Sequence, residues 1–241
     1  MNVIERITSN DKNISDYKSN LQKISLEKLK ANPTPNSKNE IWRQTNKSKF
    51  SRFLDFKFSN DFCYPHIPGQ TKNHNIYRII IGEDKKINFR EKKWEIKELK
   101  EEEILKLIQR KIIQCDTTQN WSNLLNHFLT DQKNIVGLNI SGKEIPHLEV
   151  ICNSMNNFFN SKTLIINIEN NTSVSISQIN IGDKNSALSI SSYFNIGKDS
   201  VVNHGIISFG KNKSHIINTL NVWQHKNSEY NLGSLQFEYD F

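Results

Sequence analysis

The last part of the chain repeats a fourteen-residue unit five times. The units begin at Thr172, Ser186, Ser200, Ser214 and Ser228, and each continues with a run of alternating residues typical of a β-strand. The first four units end in a polar turn rich in Gly, Lys, Asn and Asp. A period this short is typical of a solenoid, in which each unit buries its apolar face only by stacking on its neighbours. The sequence therefore predicts a β-solenoid, a scaffold on which any chemistry must be carried by individual side chains.

The length of the unit predicts how the solenoid closes. Fourteen extended residues would span about 46 Å as one strand, so one unit is better read as one wall plus a corner, with 28 residues completing a coil. The third position of each unit is apolar or aromatic. We therefore expect residue n to pair with residue n+28, which stacks Val174, Val202 and Tyr230 on one wall and Leu188 and Ile216 on the other. The alternative is a meander of antiparallel hairpins, which also gives short, regularly spaced strands.

The front half of the chain predicts helices. Apolar residues at steps of three and four predict an amphipathic helix over 14–29, which Pro33 ends. Ser37 and Glu40 have the spacing of a capping box, which predicts a second, short helix beginning there. Two further helices are expected near 98–113 and 118–130.

The strands of the front half predict a small sheet before the repeats. Residues 76–81 are β-patterned and precede a Gly-Glu-Asp turn at Gly82, so we expect a hairpin that returns through Ile87 and Phe89. Residues 134–171 hold three more short β-patterned runs. These patterns predict two domains, an N-terminal helical α+β domain over 1–131 and a parallel β-helix over 132–241.

The ends and the cysteines predict the compartment. The first ten residues carry charges and lack the apolar stretch of a secretory signal. Cys63, Cys115 and Cys152 are odd in number and widely spaced, which favours free thiols in a reducing compartment. We therefore expect a cytoplasmic protein that is not inserted in a membrane.

The formal net charge of +7 is concentrated in the front half. Residues 1–115 carry an excess of Lys and Arg, but acidic residues interrupt it, as in KELKEEE over 97–103. A nucleic-acid-binding surface predicts a contiguous basic face interleaved with aromatic residues, and this pattern is absent from the sequence. The charge distribution favours a solvated helical surface, and no nucleic acid is expected as a partner.

Few side chains of the repeats suggest chemistry. Cys63 and His66 form a single C-x-x-H pair near His74, whereas a structural zinc site needs four ligands. His204, His215 and His225 fall at different unit positions, so they are not expected to stack. No nucleophile motif and no phosphate-binding Gly-rich loop is present. We expect neither a catalytic nor a metal-binding residue.

The carboxylates do not suggest a glycosidase. Two carboxylates must converge to within about 5–10 Å for that chemistry. Asp183 and Asp199 are predicted to lie in turns, and Glu229, Glu238 and Asp240 belong to the last unit. A carbohydrate-binding or carbohydrate-active β-helix nevertheless remains the alternative function, and it predicts an aromatic or acidic groove along one wall.

The segment over residues 33–56 resembles the N-terminal signature of the SufD family, a subunit of the SUF scaffold for iron–sulfur cluster assembly. The signature residues are Pro33-Thr34, Glu40, Trp42-Arg43, Thr45 and Phe53-Leu54. The order of helices followed by a long β-helix is also similar to this family. The resemblance implies a right-handed parallel β-helix and a non-catalytic subunit of the SufBCD complex.

The resemblance also implies partners. A SufB-like paralogue would bind through the β-helix, and a SufC-like ATPase through a C-terminal helical domain. An iron–sulfur cluster would be held transiently by the assembled complex, with no cofactor on this chain alone. Because the repeats stop in a β run at Phe241, we expect an incomplete β-helix, open at its C-terminal end and without the SufC-binding domain. No cluster ligand is assigned to Cys152 or His204.

Overall fold

The computed structural model describes residues 20–31, 55–65, 76–112 and 121–238. Its three α-helices are α1 (Asn20–Ala31), α2 (Glu101–Ile112) and α3 (Trp121–Leu129), and a 3-10 turn spans Gln132–Asn134. Four short strands precede the repeats: β1 (Lys57–Phe58), β2 (Ile76–Ile80), β3 (Asn88–Arg90) and β4 (Trp94–Glu98).

Eight further strands form a parallel β-solenoid. They are β5 (Ile135–Gly142), β6 (His147–Asn153), β7 (Phe158–Ile168), β8 (Ser173–Gly182), β9 (Ala187–Ile196), β10 (Val201–Gly210), β11 (His215–Gln224) and β12 (Glu229–Glu238). The odd-numbered strands β5, β7, β9 and β11 stack in one sheet, here named the odd wall, and the even-numbered strands β6, β8, β10 and β12 stack in the other, the even wall. Each fourteen-residue unit therefore supplies one wall strand and one corner.

The register confirms the predicted 28-residue coil. Val202 pairs with both Val174 and Tyr230, and Ile216 pairs with Leu188, in each case 28 residues along the chain. The antiparallel meander is therefore excluded for this region. The side chains of these third positions point into one core shared by both walls. Because each column continues from coil to coil, the apolar faces of successive units become a single hydrophobic interior.

The corners depend on residues in the left-handed conformation. One residue with positive φ recurs every fourteen residues, at Asn157, Asn171, Asn185, Asp199, Lys213 and Asn227. Asn and Asp tolerate this conformation better than most residues, so the abundance of Asn serves the geometry of the fold. Corner side chains also bond to the next coil: Asn185 Nδ2 donates to Asn157 Oδ1 at 2.9 Å, and Asn227 Nδ2 donates to Asp199 Oδ1 at 2.9 Å.

The predicted hairpin of residues 76–89 is wrong. β2 pairs in parallel with β6 on the even wall, whereas β3 pairs antiparallel with β4, which itself extends the odd wall through β5. The strands before and after Gly82 thus belong to opposite walls, although the rings of Tyr77 and Phe89 lie 4.7 Å apart. The physical reason is that β6 offers β2 an edge whose backbone groups need partners, and the nearby β4 offers the same to β3.

The helices lie on the outside of the odd wall. α3 packs against β7 and β9 and against α1, and α2 packs its apolar side chains on Ile165 and Tyr193. The helices predicted near 98–113 and 118–130 are confirmed as α2 and α3, and that predicted over 14–29 is confirmed in its described part, α1. The short helix predicted at Ser37 lies outside the described residues.

Candidate functional site

The outer face of the odd wall contacts α3 through position six of the units. Asn126 Nδ2 donates to Thr163 Oγ1 at 3.0 Å, and Ser191 Oγ donates to Asn123 Oδ1 at 2.8 Å. Asn126 and Asn123 are three residues apart, which is a rise of about 4.5 Å along a helix. Successive coils are about 4.8 Å apart. A helix lying along the solenoid axis therefore meets one coil every three to four residues.

The outer face of the even wall has two apolar columns and one column of small residues. Position six holds Ser177, Gly205 and Gly233. Positions eight and ten hold Ile179 and Ile181 in one coil, Ile207 and Phe209 in the next, and Leu235 and Phe237 in the last. Ile179 and Ile181 are buried, but Leu235 is 58% exposed and Phe237 47% exposed. The apolar columns therefore become accessible toward the last coil.

The last described coil also exposes the end of the core. Leu232 continues the inward column of Ile176 and His204, and it is 50% exposed. Within the described residues, β11 pairs only with β9 and β12 only with β10, so each has a strand edge without a partner there. Such edges, next to an exposed apolar core, readily bind another chain.

The three histidines of the repeats lie in different surroundings. His204 points into the core, where its Nδ1 lies 2.7 Å from the Tyr230 hydroxyl and its ring lies 4.6 Å from the Phe194 ring. Burial lowers the pKa of His204 to about 4. His225 lies exposed in a corner near Asn195, and His215 lies beside Phe56. The structure does not bring these histidines together.

Cys63 and Cys152 are on opposite sides of the even wall. Cys152 is fully buried in the core, and desolvation raises its pKa to about 12. Cys63 lies outside, where Asn153 Nδ2 donates to its Sγ at 3.1 Å, and desolvation raises its pKa as well. Neither thiol is activated as a nucleophile, because an activated thiol needs a lowered pKa. Cys115, His66 and His74 lie outside the described residues.

The carboxylates of the repeats are held in corners, as the sequence predicts for Asp183 and Asp199. Asp183 forms an ion pair with Lys211 at 3.0 Å. The pKa of Asp199 is lowered, chiefly by its hydrogen bond from Asn227. Asp183 follows an even strand and Asp199 an odd strand, so they lie in opposite corners. Glu229 and Glu238 lie at the two ends of β12, and Asp240 is outside the described residues.

One buried charge, Lys162, was not expected from the sequence. Lys162 is 1% exposed, at an inward position of β7 that an apolar residue, Ile190, occupies in the next coil. Its Nζ donates to the Ile81 carbonyl at 3.2 Å and to the side chain of Asn134, which in turn donates to Asp131 Oδ1 at 2.7 Å. Desolvation lowers the pKa of Lys162, and the Asp131 carboxylate opposes part of this shift. The network anchors the first coil to the segment that follows β2.

Neither a metal site nor a membrane span emerges from the described part of the chain. In residues 20–31, 55–65, 76–112 and 121–238, no three His, Cys, Asp or Glu side chains are grouped so that they could hold a metal ion. In the same ranges, no helix has the length and apolar character needed to cross a membrane. What this part of the molecule offers is surface: two strand edges, the end of a core and an apolar outer face.

Comparison with known proteins finds no matching family model, no matching curated protein and no matching solved structure.

Proposed function

We propose that this chain is a SufD-like, non-catalytic subunit of the cytoplasmic SUF scaffold for iron–sulfur cluster assembly. The observation that carries the proposal is the 28-residue parallel coil preceded by helices, which is the architecture that the resemblance over residues 33–56 implies. The signature residues themselves lie almost entirely outside the described residues, so the fold supports the proposal independently of them.

The surface of the last coil supports a role in assembly. A scaffold subunit needs a face that binds a paralogue, and the free edges of β11 and β12 flank the exposed Leu232. A SufB-like subunit with its own β-helix edge could add strands there and cover the end of the core. The cluster would form on the assembled complex, and a SufC-like ATPase would complete it.

The carbohydrate alternative has less support. It predicts an aromatic or acidic groove along a wall, but the shallow groove at positions four to six of the even wall is lined by small and amide side chains. These are Ser175, Ser177, Asn203, Gly205, Asn231 and Gly233. Carboxylates, which such an enzyme needs in pairs, do not line this groove.

Co-expression with a SufB-type subunit tests the proposal. The 241-residue chain should co-elute with SufB, and Leu232→Glu should weaken the complex at least tenfold, because a charge at the end of the core must be desolvated on binding. Leu235→Glu, on the outer face of the same strand, is the matched control and should leave the complex intact. Failure to co-elute with SufB would overturn the proposal, as would a complex that Leu232→Glu does not weaken.

A further inference from the structure

We propose that the outer face of the even wall over its last two coils is a docking surface for an amphipathic helix of a partner protein, lying along the solenoid axis. This surface is separate from the strand edges on which the proposed function depends. It consists of Ile207, Leu235 and Phe237 beside Gly205 and Gly233.

The occupied wall shows how such a surface is covered. On the odd wall, position six is polar and small, position eight is apolar, and helices lie over both. The even wall repeats this order, with Gly205 and Gly233 at position six and Ile207 and Leu235 at position eight. A Cβ added to Gly233 would meet no atom within 4 Å, so the backbone there is open to close approach. The two walls have the same pattern, and a helix is what that pattern binds on this protein.

The side chains on the even wall point away from the solenoid, so their exposure is not caused by the open end of the core. Leu232 points along the core and lies at its exposed end, whereas Leu235, three residues on, points outward from the wall. The rings of Phe209 and Phe237 stack at 5.5 Å and 16°, which makes a continuous apolar ridge beside the position-eight column. The ridge and the column together match the apolar stripe of a helix, whose residues at i, i+3 and i+4 share one face.

The charges at the corners indicate which helix fits. The corner that borders position ten carries three lysines and one aspartate, and the aspartate is already paired with Lys211. Lys184 and Lys213 remain exposed there. The opposite corner is balanced, with three basic and three acidic side chains: Lys143, Lys198, Lys226, Glu144, Glu169 and Asp199. The partner helix is therefore expected to carry acidic residues along the edge that faces Lys184 and Lys213.

A displayed library of helical peptides about 18 residues long, which is about five turns, tests this proposal by selection on the full chain. Selected peptides should have apolar residues at i, i+3 or i+4 and i+7 and a row of Glu or Asp along one edge. Their affinity, measured by fluorescence anisotropy, should fall at least tenfold with Leu235→Glu. It should fall a few-fold with Lys184→Glu, because an exposed ion pair contributes about 0.2–1 kcal/mol. Lys226→Glu, the same unit position in the opposite corner, is the charge control and should have no effect.

Two further measurements decide the outcome. Leu235→Glu must keep the melting temperature of the unchanged chain, and Leu232→Glu, which should disrupt the scaffold complex, should leave peptide binding unchanged. The proposal is overturned if no peptide is enriched, or if the enriched peptides bind Leu235→Glu as well as the unchanged chain. It is also overturned if the chain dimerises in sedimentation and Leu235→Glu dissociates the dimer, since the face would then belong to a second copy.

Discussion

The two walls of the solenoid are built from the same repeat but meet different surroundings. On the odd wall, outward residues such as Ile165 and Tyr193 are buried under α2 and α3. On the even wall, the equivalent Leu235 is largely exposed. The repeat therefore specifies the interior of both walls equally, whereas the helices determine what the outside of each wall can do. The covered wall stabilises the scaffold, and the even wall and the last coil are available for binding.

The largest expected difference between the walls comes from deleting one side chain at position eight of each. Ile165→Ala should lower the free energy of unfolding by about 2–5 kcal/mol, because it leaves a cavity between β7 and α2. Leu235→Ala should lower it by less than about 0.5 kcal/mol, because that side chain is already exposed. Urea denaturation followed by circular dichroism measures both. Equal losses would show that the even wall is covered as completely as the odd wall.

The sequence predicts the walls well and their surroundings poorly. The coil of 28 residues follows from the period and from the length of an extended chain, so the stacking of Val174, Val202 and Tyr230 is predictable from the sequence alone. The partner of β2 could not be predicted in this way. A turn at Gly82 fits a local hairpin, but the edge of β6 binds β2 from 71 residues away, as the pairing of Ile76 with His147 shows. Local patterns carry no information about which distant edge needs a partner.

The candidate surfaces could be predicted only in part. Outward positions of a unit alternate with inward ones, so Leu235 and Phe237 are recognisable from the sequence as apolar residues facing outward. Whether a helix covers them depends on how the front half packs, which the repeat does not encode. Lys162 could have been found by extending the fourteen-residue register back to residue 158, because it then falls at a position where Ile190 and Ile176 are apolar.

A second expected difference concerns the two buried histidines, His127 under the odd wall's helix cover and His204 in the core. His127 Nε2 lies 2.5 Å from the Tyr193 hydroxyl, and burial lowers the pKa of His127 to about 3. The pKa of His204 is lowered to about 4 for the same reason. Both are therefore neutral in the folded protein at pH 7, while the unfolded chain binds protons below about pH 6.5.

The sign of the pH effect follows from these values. Stability is fully present above about pH 6.5 and is lost as the pH falls toward 4, at up to about 1.4 kcal/mol per pH unit for each histidine. The double variants His127→Phe with Tyr193→Phe, and His204→Phe with Tyr230→Phe, remove each pair without leaving a hydroxyl alone. Each should reduce the slope of unfolding free energy between about pH 6 and 4.5 by a similar amount. If only the His204 variant changed the slope, the helix cover on the odd wall would be permeable to protons and water.

The smallest expected effect concerns the corners that join the two walls. Lys213 has φ of 58° in a position where the preceding coils have Asn157 and Asn185. The left-handed conformation costs a residue with a Cβ about 1–2 kcal/mol, whereas glycine adopts it freely but loses more entropy on folding. Lys213→Gly should therefore raise the unfolding free energy by about 0.5 kcal/mol. Asn185→Gly should lower it by a similar amount, because Asn tolerates the conformation and its amide bonds to Asn157. Thermal melts of the two variants should shift in opposite directions, and shifts of the same sign would mean that strain at Lys213 does not limit the stability of the corner.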